Sequence, residues 1–143
     1  MQAAFGIHQL EKARLFAVRR EQIASTFFSH IAQRTNWLSA PRIAPQASPS
    51  WLALPLLVAK DAPFSRTEIA SYLEDVGVET RPIVAGNIAR HPVAARVPAL
   101  RERHFPGADE VHERGFYIGL SPAQTDETVW RLAEAFSHFL SRY

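Results

Sequence analysis

"APFSRTEIASYLEDVGVETRPIV", residues 62–84, decides the fold class, because it writes a helix and the strand after it with both boundaries marked. Ser65 followed by Glu68 forms a capping box: the hydroxyl accepts from the backbone N–H of the third helical residue, and the carboxylate reaches back to the cap. Phe64, just ahead of the cap, can staple against Ile69. Ile69, Leu73 and Val76 recur at helical spacing, so the helix is expected to bury that stripe. Gly77 stands where the left-handed residue after a helix belongs, and the chain then runs into "VETRPIV", a short strand.

On the amino-terminal side, residues 1–34 contain no proline, and apolar or small residues repeat at helical spacing. One long helix or two abutting ones is expected. Ala3, Ala4 and Gly6 would let another backbone approach closely, whereas Ile23, Phe27 and Ile31 form an ordinary core stripe. Prolines 41, 45 and 49 mark an irregular loop. "WLALPLLVA", residues 51–59, is β-compatible. Pro55 cannot donate a ladder hydrogen bond, which places the strand at a sheet edge or with a bulge.

On the carboxy-terminal side, residues 85–98 are punctuated by Gly86-Asn87, His91-Pro92 and Val97-Pro98, so a loop with at most one helical turn is expected. "PGADEVHER" enters a short helix, and "GFYIGLSP" is a strand of aromatic and β-branched residues. Thr125 caps a last helix with Asp126 and Glu127 in its first turn and Val129, Leu132, Ala133, Phe136 and Leu140 on one face. The order predicts an α+β chain: a long N-terminal helix, then a small two-layer domain with a short sheet covered by helices. The expected division is a helical segment at 1–34 and a small domain at 35–143.

The 143 residues are 47% hydrophobic, ample for one core. The longest apolar run, Trp51 to Ala59, falls short of the roughly 20 residues that a spanning helix needs, so no membrane partner is expected. The opening lacks the pattern of a secretory signal. There is no cysteine, which excludes disulfides, a thiol nucleophile and thiolate-held metal within this chain and suits a cytoplasmic setting. A net charge of +2 is too small for a nucleic-acid footprint, although the pI is about 9.4. Only Lys12 and Lys60 are lysines. The basic side chains are therefore mostly guanidiniums, whose planar fork suits carboxylate and phosphate.

Chemistry-bearing motifs are few. The glycines at 6, 77, 86, 107, 115 and 119 form no phosphate-cradling loop, and the six histidines have no ligand spacing, so no metal site is expected. Asp109, Glu110 and Glu113 share a short helix and read more simply as a solvated face than as paired acid and base. One loop remains. Arg81 leaves a strand, Gly86 permits a tight bend, Asn87 tolerates left-handed geometry and offers an amide, and Arg90 supplies a bidentate fork. These four could hold an oxyanion or sugar hydroxyls, or could simply build a turn.

"MQAAFGIHQLEK", "APFSRTEIASYLEDVGVETRPIVAGNIARHP" and "FYIGLSP" resemble the DegT/DnrJ/EryC1/StrS family of pyridoxal-phosphate-dependent sugar aminotransferases, and within it the CDP-4-keto-6-deoxyglucose 3-dehydratase branch of lipopolysaccharide O-antigen synthesis. The specific block is Thr80-Arg81, Ala85-Gly86-Asn87 and Arg90-x-Pro92, where the aminotransferases tend to carry His-Tyr-x-Pro-Leu-His. His91-Pro92-Val93 departs from the Gln-Pro-Tyr of those dehydratases, which leaves sugar specificity open.

The resemblance implies the carboxy-terminal third of a fold-type I subunit. It implies pyridoxal or pyridoxamine phosphate held mainly by preceding chain, a 2Fe–2S cluster in the full protein with no ligands here, a nucleotide-sugar substrate, and a homodimer. It implies that Arg90 and Asn87 line the sugar-nucleotide pocket with Gly86, while Arg81 supports the loop or meets an anionic group. No catalytic residue falls in this stretch by that resemblance. A sugar aminotransferase of the same family, or a non-catalytic interaction module, is the alternative.

Overall fold

The computed structural model describes residues 2–101 and 103–143. Among the described residues, five α-helices and four strands follow one another: α1 (Gln2–Arg34), β1 (Leu38–Ser39), β2 (Ala53–Val58), α2 (Arg66–Asp75), β3 (Thr80–Pro82), α3 (Pro98–Arg101), α4 (Pro106–Arg114), β4 (Gly115–Gly119) and α5 (Asp126–Leu140). The strands form one antiparallel sheet in the order β1-β2-β4-β3.

The capping box of α2 forms as written: the Ser65 N–H donates to Glu68 Oε2 at 2.7 Å, and the Glu68 N–H donates to Ser65 Oγ at 3.2 Å. Gly77 takes φ +85°, the left-handed bend that ends the helix. Ile69 and Leu73 are fully buried, but Val76 is 49% exposed. The helix stops at Asp75, so the 3.6-residue period no longer carries position 76 onto the buried face.

One core joins the sheet to three helices. Leu54, Leu56 and Val58 of β2 and Phe116 and Ile118 of β4 meet Ile23, Phe27 and Ile31 of α1, Ile69 and Leu73 of α2, and Val129, Leu132, Phe136 and Leu140 of α5. Phe27 and Phe136 stand edge-on at 5.2 Å, and Phe64 stands edge-on to Phe139 at 4.9 Å. Burying so many side chains, each contributing about 1.5–3 kcal/mol, holds the two layers together. The Thr125 hydroxyl caps α5 by accepting the Thr128 N–H at 3.2 Å.

α1 is a single helix. Its later stripe is core, but its amino-terminal half stands clear of the body, with Ile7, Leu10 and Leu15 between 61% and 75% exposed. β2 lies inside the sheet by order, yet β1 reaches only its residues Leu57 and Val58. At Pro55 the strand is paired on the β4 side alone, opposite Tyr117, which is how proline is tolerated there. Residues 88–90 and 92–96 form two 3-10 turns, more helix than the proline spacing predicts.

Candidate functional site

The segment between β3 and α3 is built on two left-handed residues, Val84 at φ +46° and Gly86 at φ +59°. The Gly86 N–H closes the bend on the Ile83 carbonyl at 2.8 Å. A Cβ on Gly86 would lie 2.5 Å from Nδ1 and 2.9 Å from Cα of His112, so only glycine lets this loop lie against α4. Val84, by contrast, is a β-branched residue in a conformation that costs free energy, and its side chain is 87% exposed.

Asn87 is 4% exposed and fully engaged. Its Oδ1 accepts the Ala89 N–H at 2.9 Å, which caps the first 3-10 turn, and its Nδ2 donates to Asp109 Oδ1 at 2.7 Å. Its backbone N–H donates to His112 Nδ1 at 3.3 Å, which fixes that ring as the Nε2-protonated tautomer. His91 lies edge-on to His112 at 5.9 Å and donates Nε2–H to the Ala85 carbonyl at 2.7 Å.

Arg90 leaves the same turn. Its Nε donates to Asp109 Oδ1 at 2.5 Å, and its Nη2 lies 2.8 Å from Glu113 Oε1. The hydrogen bonds from Asn87 and Arg90 hold the Asp109 carboxyl below the usual carboxylate range, and Asp109 in turn raises the Arg90 guanidinium above its ordinary value. Beside this cluster opens a groove of about 620 Å³ lined by Asn87, Arg90, His91, Arg103, His104 and Asp109. The Arg103 guanidinium stands 5.4 Å from the centroid of the Phe105 ring.

The structure therefore brings Gly86, Asn87 and Arg90 together and leaves Arg81 apart. Arg81 pairs with Glu79 and lines a different groove of about 1420 Å³, between α5 and the α2–β3 connection, with Arg34, Tyr117, Trp130 and Arg131. Asp109 and Glu113, which a sequence reading leaves on a solvated face, and His112 are the surface on which the loop rests. Their spacing of three and four residues puts them on one side of α4, the signal that could have grouped them.

The Arg90 groove does not fit a resident pyridoxal phosphate. Neither lysine lines the Arg90 groove, and Lys60 is held by Glu110 at 2.9 Å. The backbone N–H groups of Gly86, Asn87, Ala89 and Arg90 are all engaged within the loop or by His112, so they make no phosphate cradle. Among the described residues no group of three His, Asp or Glu side chains is placed to hold a metal ion, and no helix is long and apolar enough to cross a membrane.

Comparison with known proteins agrees with this architecture. A solved E. coli GDP-4-keto-6-deoxy-D-mannose-3-dehydratase with bound hydrated PLP superposes with a TM-score of 0.78 at 23% identity, over 92% of this chain and 33% of that one. An aminotransferase from Psychrobacter cryohalolentis superposes with 0.85 at 22% identity, over 99% and 38%. In sequence, the lipopolysaccharide biosynthesis protein RfbH of Salmonella typhimurium is 28% identical over 97% of this chain and 32% of its own length. The GDP-4-keto-6-deoxy-D-mannose 3-dehydratase of Yersinia pseudotuberculosis is 30% identical over 92% and 33%. The chain thus spans about a third of the length of these relatives. The pattern of the DegT/DnrJ/EryC1/StrS aminotransferase family matches residues 1–137, and the chain belongs to that family.

Proposed function

We propose that this chain supplies the substrate-facing small domain of a pyridoxal- or pyridoxamine-phosphate-dependent nucleotide-sugar enzyme, a 3-dehydratase acting on a CDP-4-keto-6-deoxyhexose in O-antigen synthesis. The observation that carries it is Arg90, held by the Gly86-Asn87 bend and α4 with part of its guanidinium open to a groove. The relatives support the dehydratase side: besides the Yersinia protein, a dTDP-4-dehydro-2,6-dideoxy-D-glucose 3-dehydratase of Saccharopolyspora spinosa is 27% identical over 99% of this chain.

In this proposal Arg90 donates to sugar oxygens, and Asn87 and Gly86 fix the turn that aims it. Arg81, in its separate groove, meets an anionic group or braces β3. The cofactor binds polypeptide outside this chain, and the assembled enzyme is a cytoplasmic homodimer.

Supplying the rest of the subunit and titrating a CDP-sugar tests this. Arg90→Ala is expected to weaken binding at least about tenfold, the loss of a charged hydrogen-bond donor. Unchanged affinity removes Arg90 from the pocket, and no binding by the intact assembly favours an interaction module. A lysine rather than a histidine at the cofactor-linking position of the remaining chain would turn the proposal to a sugar aminotransferase.

A further inference from the structure

The groove beside Arg90 has an acidic back wall, and that wall bears on which part of a nucleotide sugar it takes. A guanidinium has one N–H on Nε and two on each Nη. Asp109 takes the Nε hydrogen and Glu113 takes one from Nη2. Both hydrogens of Nη1 and the second of Nη2 are then left as donors along the end of the fork.

The two carboxylates differ. Glu113 is 54% exposed on its side chain and its carboxylate pairs with Arg90 alone among the described residues, whereas Asp109 is 16% exposed and gripped from a second direction by Nδ2 of the buried Asn87. Asp109 is therefore the fixed pole against which Arg90 is set. The charge is cancelled as well as aimed, since one guanidinium faces two carboxylates. A diphosphate approaching Arg90 gains no net attraction from that trio. Uncharged oxygens gain preset donors without having to displace an ion pair.

We infer, building on the function proposed above, that Asp109 is a positioning residue that directs the open end of Arg90 toward the uncharged oxygens of the sugar and away from its diphosphate. The test uses this chain assembled with the rest of the subunit, with nitrogen-15 resonances of the arginine Nε–H groups as the readout and CDP-glucose and inorganic pyrophosphate as the two probes. In Asp109→Asn, the Arg90 Nε–H is expected to exchange about tenfold faster. CDP-glucose should bind about tenfold more weakly, and pyrophosphate several-fold more tightly as the guanidinium loses its counter-charge.

Asp109→Glu is expected to restore the pyrophosphate discrimination, while Glu113→Gln should change each value less than about twofold. An unchanged Arg90 Nε–H in Asp109→Asn, or pyrophosphate affinity that falls together with that for CDP-glucose, overturns the inference. A wild-type assembly that ignores CDP-glucose while Arg90 responds to Asp109→Asn overturns the nucleotide-sugar role and the sugar preference, and leaves the positioning contact standing. Should Asp109→Asn not fold, the same resonance is followed in the wild type as acid protonates Asp109. Protection is expected to vanish with that titration, and protection that survives it refutes the inference.

Discussion

Replacing Gly86 by alanine measures how firmly the loop is pressed onto α4, and Gly77→Ala is its internal control. Both glycines have positive φ, +59° and +85°. Alanine pays about 1 kcal/mol for that conformation at either place. They differ in surroundings: a Cβ at Gly77 meets nothing within 4 Å, whereas at Gly86 it falls 2.9 Å from the Cα of His112. That Cα belongs to a helix and cannot step aside alone, so the loop must lift. Lifting strains or breaks the Asn87 N–H bond to His112 Nδ1, about 1 kcal/mol, and loosens the Asn87–Asp109 pair as well. Gly77→Ala is thus expected to cost about 1 kcal/mol and Gly86→Ala about 3 kcal/mol. At about 3 °C per kcal/mol for a chain of this size, the melting temperatures should fall by about 3 °C and about 9 °C. Thermal unfolding followed by circular dichroism of both variants in parallel decides it. Equal losses would show that the loop does not rest on α4, and the geometry assigned to Arg90 would fall with it.

In the core, Phe27→Ala and Phe136→Ala should each cost about 3–5 kcal/mol in urea unfolding, with a coupling of about 1 kcal/mol between them from the edge-on pair. Ser65→Ala should cost about 1 kcal/mol by removing the cap of α2, read from the shift in urea midpoint. Acidification should destabilise the chain in two windows. Burial and Arg34 lower His30, so its contribution is present above 6.5, the unfolded value, and is lost as pH falls through the lower folded value. Glu68, lowered by Ser65, Asp109, lowered by Asn87 and Arg90, and Glu110, lowered by Lys60, contribute above their unfolded values and are lost as pH falls through their folded ones. Unfolding free energy that is flat from neutral pH down through both windows would contradict these contacts. Finally, the bared apolar residues of α1 should drive association, so that Leu10→Glu with Leu15→Lys lowers the mass seen by light scattering.

Features written in adjacent residues were legible in the sequence, and features set by distant partners were not. Ser65, Glu68 and Gly77 announce α2 because each acts on backbone groups a few residues away. The two-residue β1 carries no such mark, since it exists only by pairing with Leu57 and Val58 across a long connection. Pro92 and Pro98 were read as breaks, but proline also suits the first position of a helical turn, and both start one here. Pro55 reads as a sheet edge or a bulge, but β2 lies between β1 and β4 in continuous register with β4, and the proline is tolerated because β1 pairs only farther along the strand.

The site divides along the same line. Gly86-Asn87 was legible as a bend because positive φ and an amide cap are local requirements. What the bend is pressed against was not, for Asn87 and Asp109 are 22 positions apart, and the helix between them and β4 offers no motif. Arg81 and Arg90 look alike in the sequence, each a guanidinium beside a turn. Arg81 sits within a strand at the sheet's edge and pairs with Glu79 next door, whereas Arg90 ends a turn that delivers it to carboxylates on α4. An arginine becomes part of a site when a fixed acceptor determines which of its hydrogens remain free. That acceptor, rather than the arginine itself, is what a single sequence conceals.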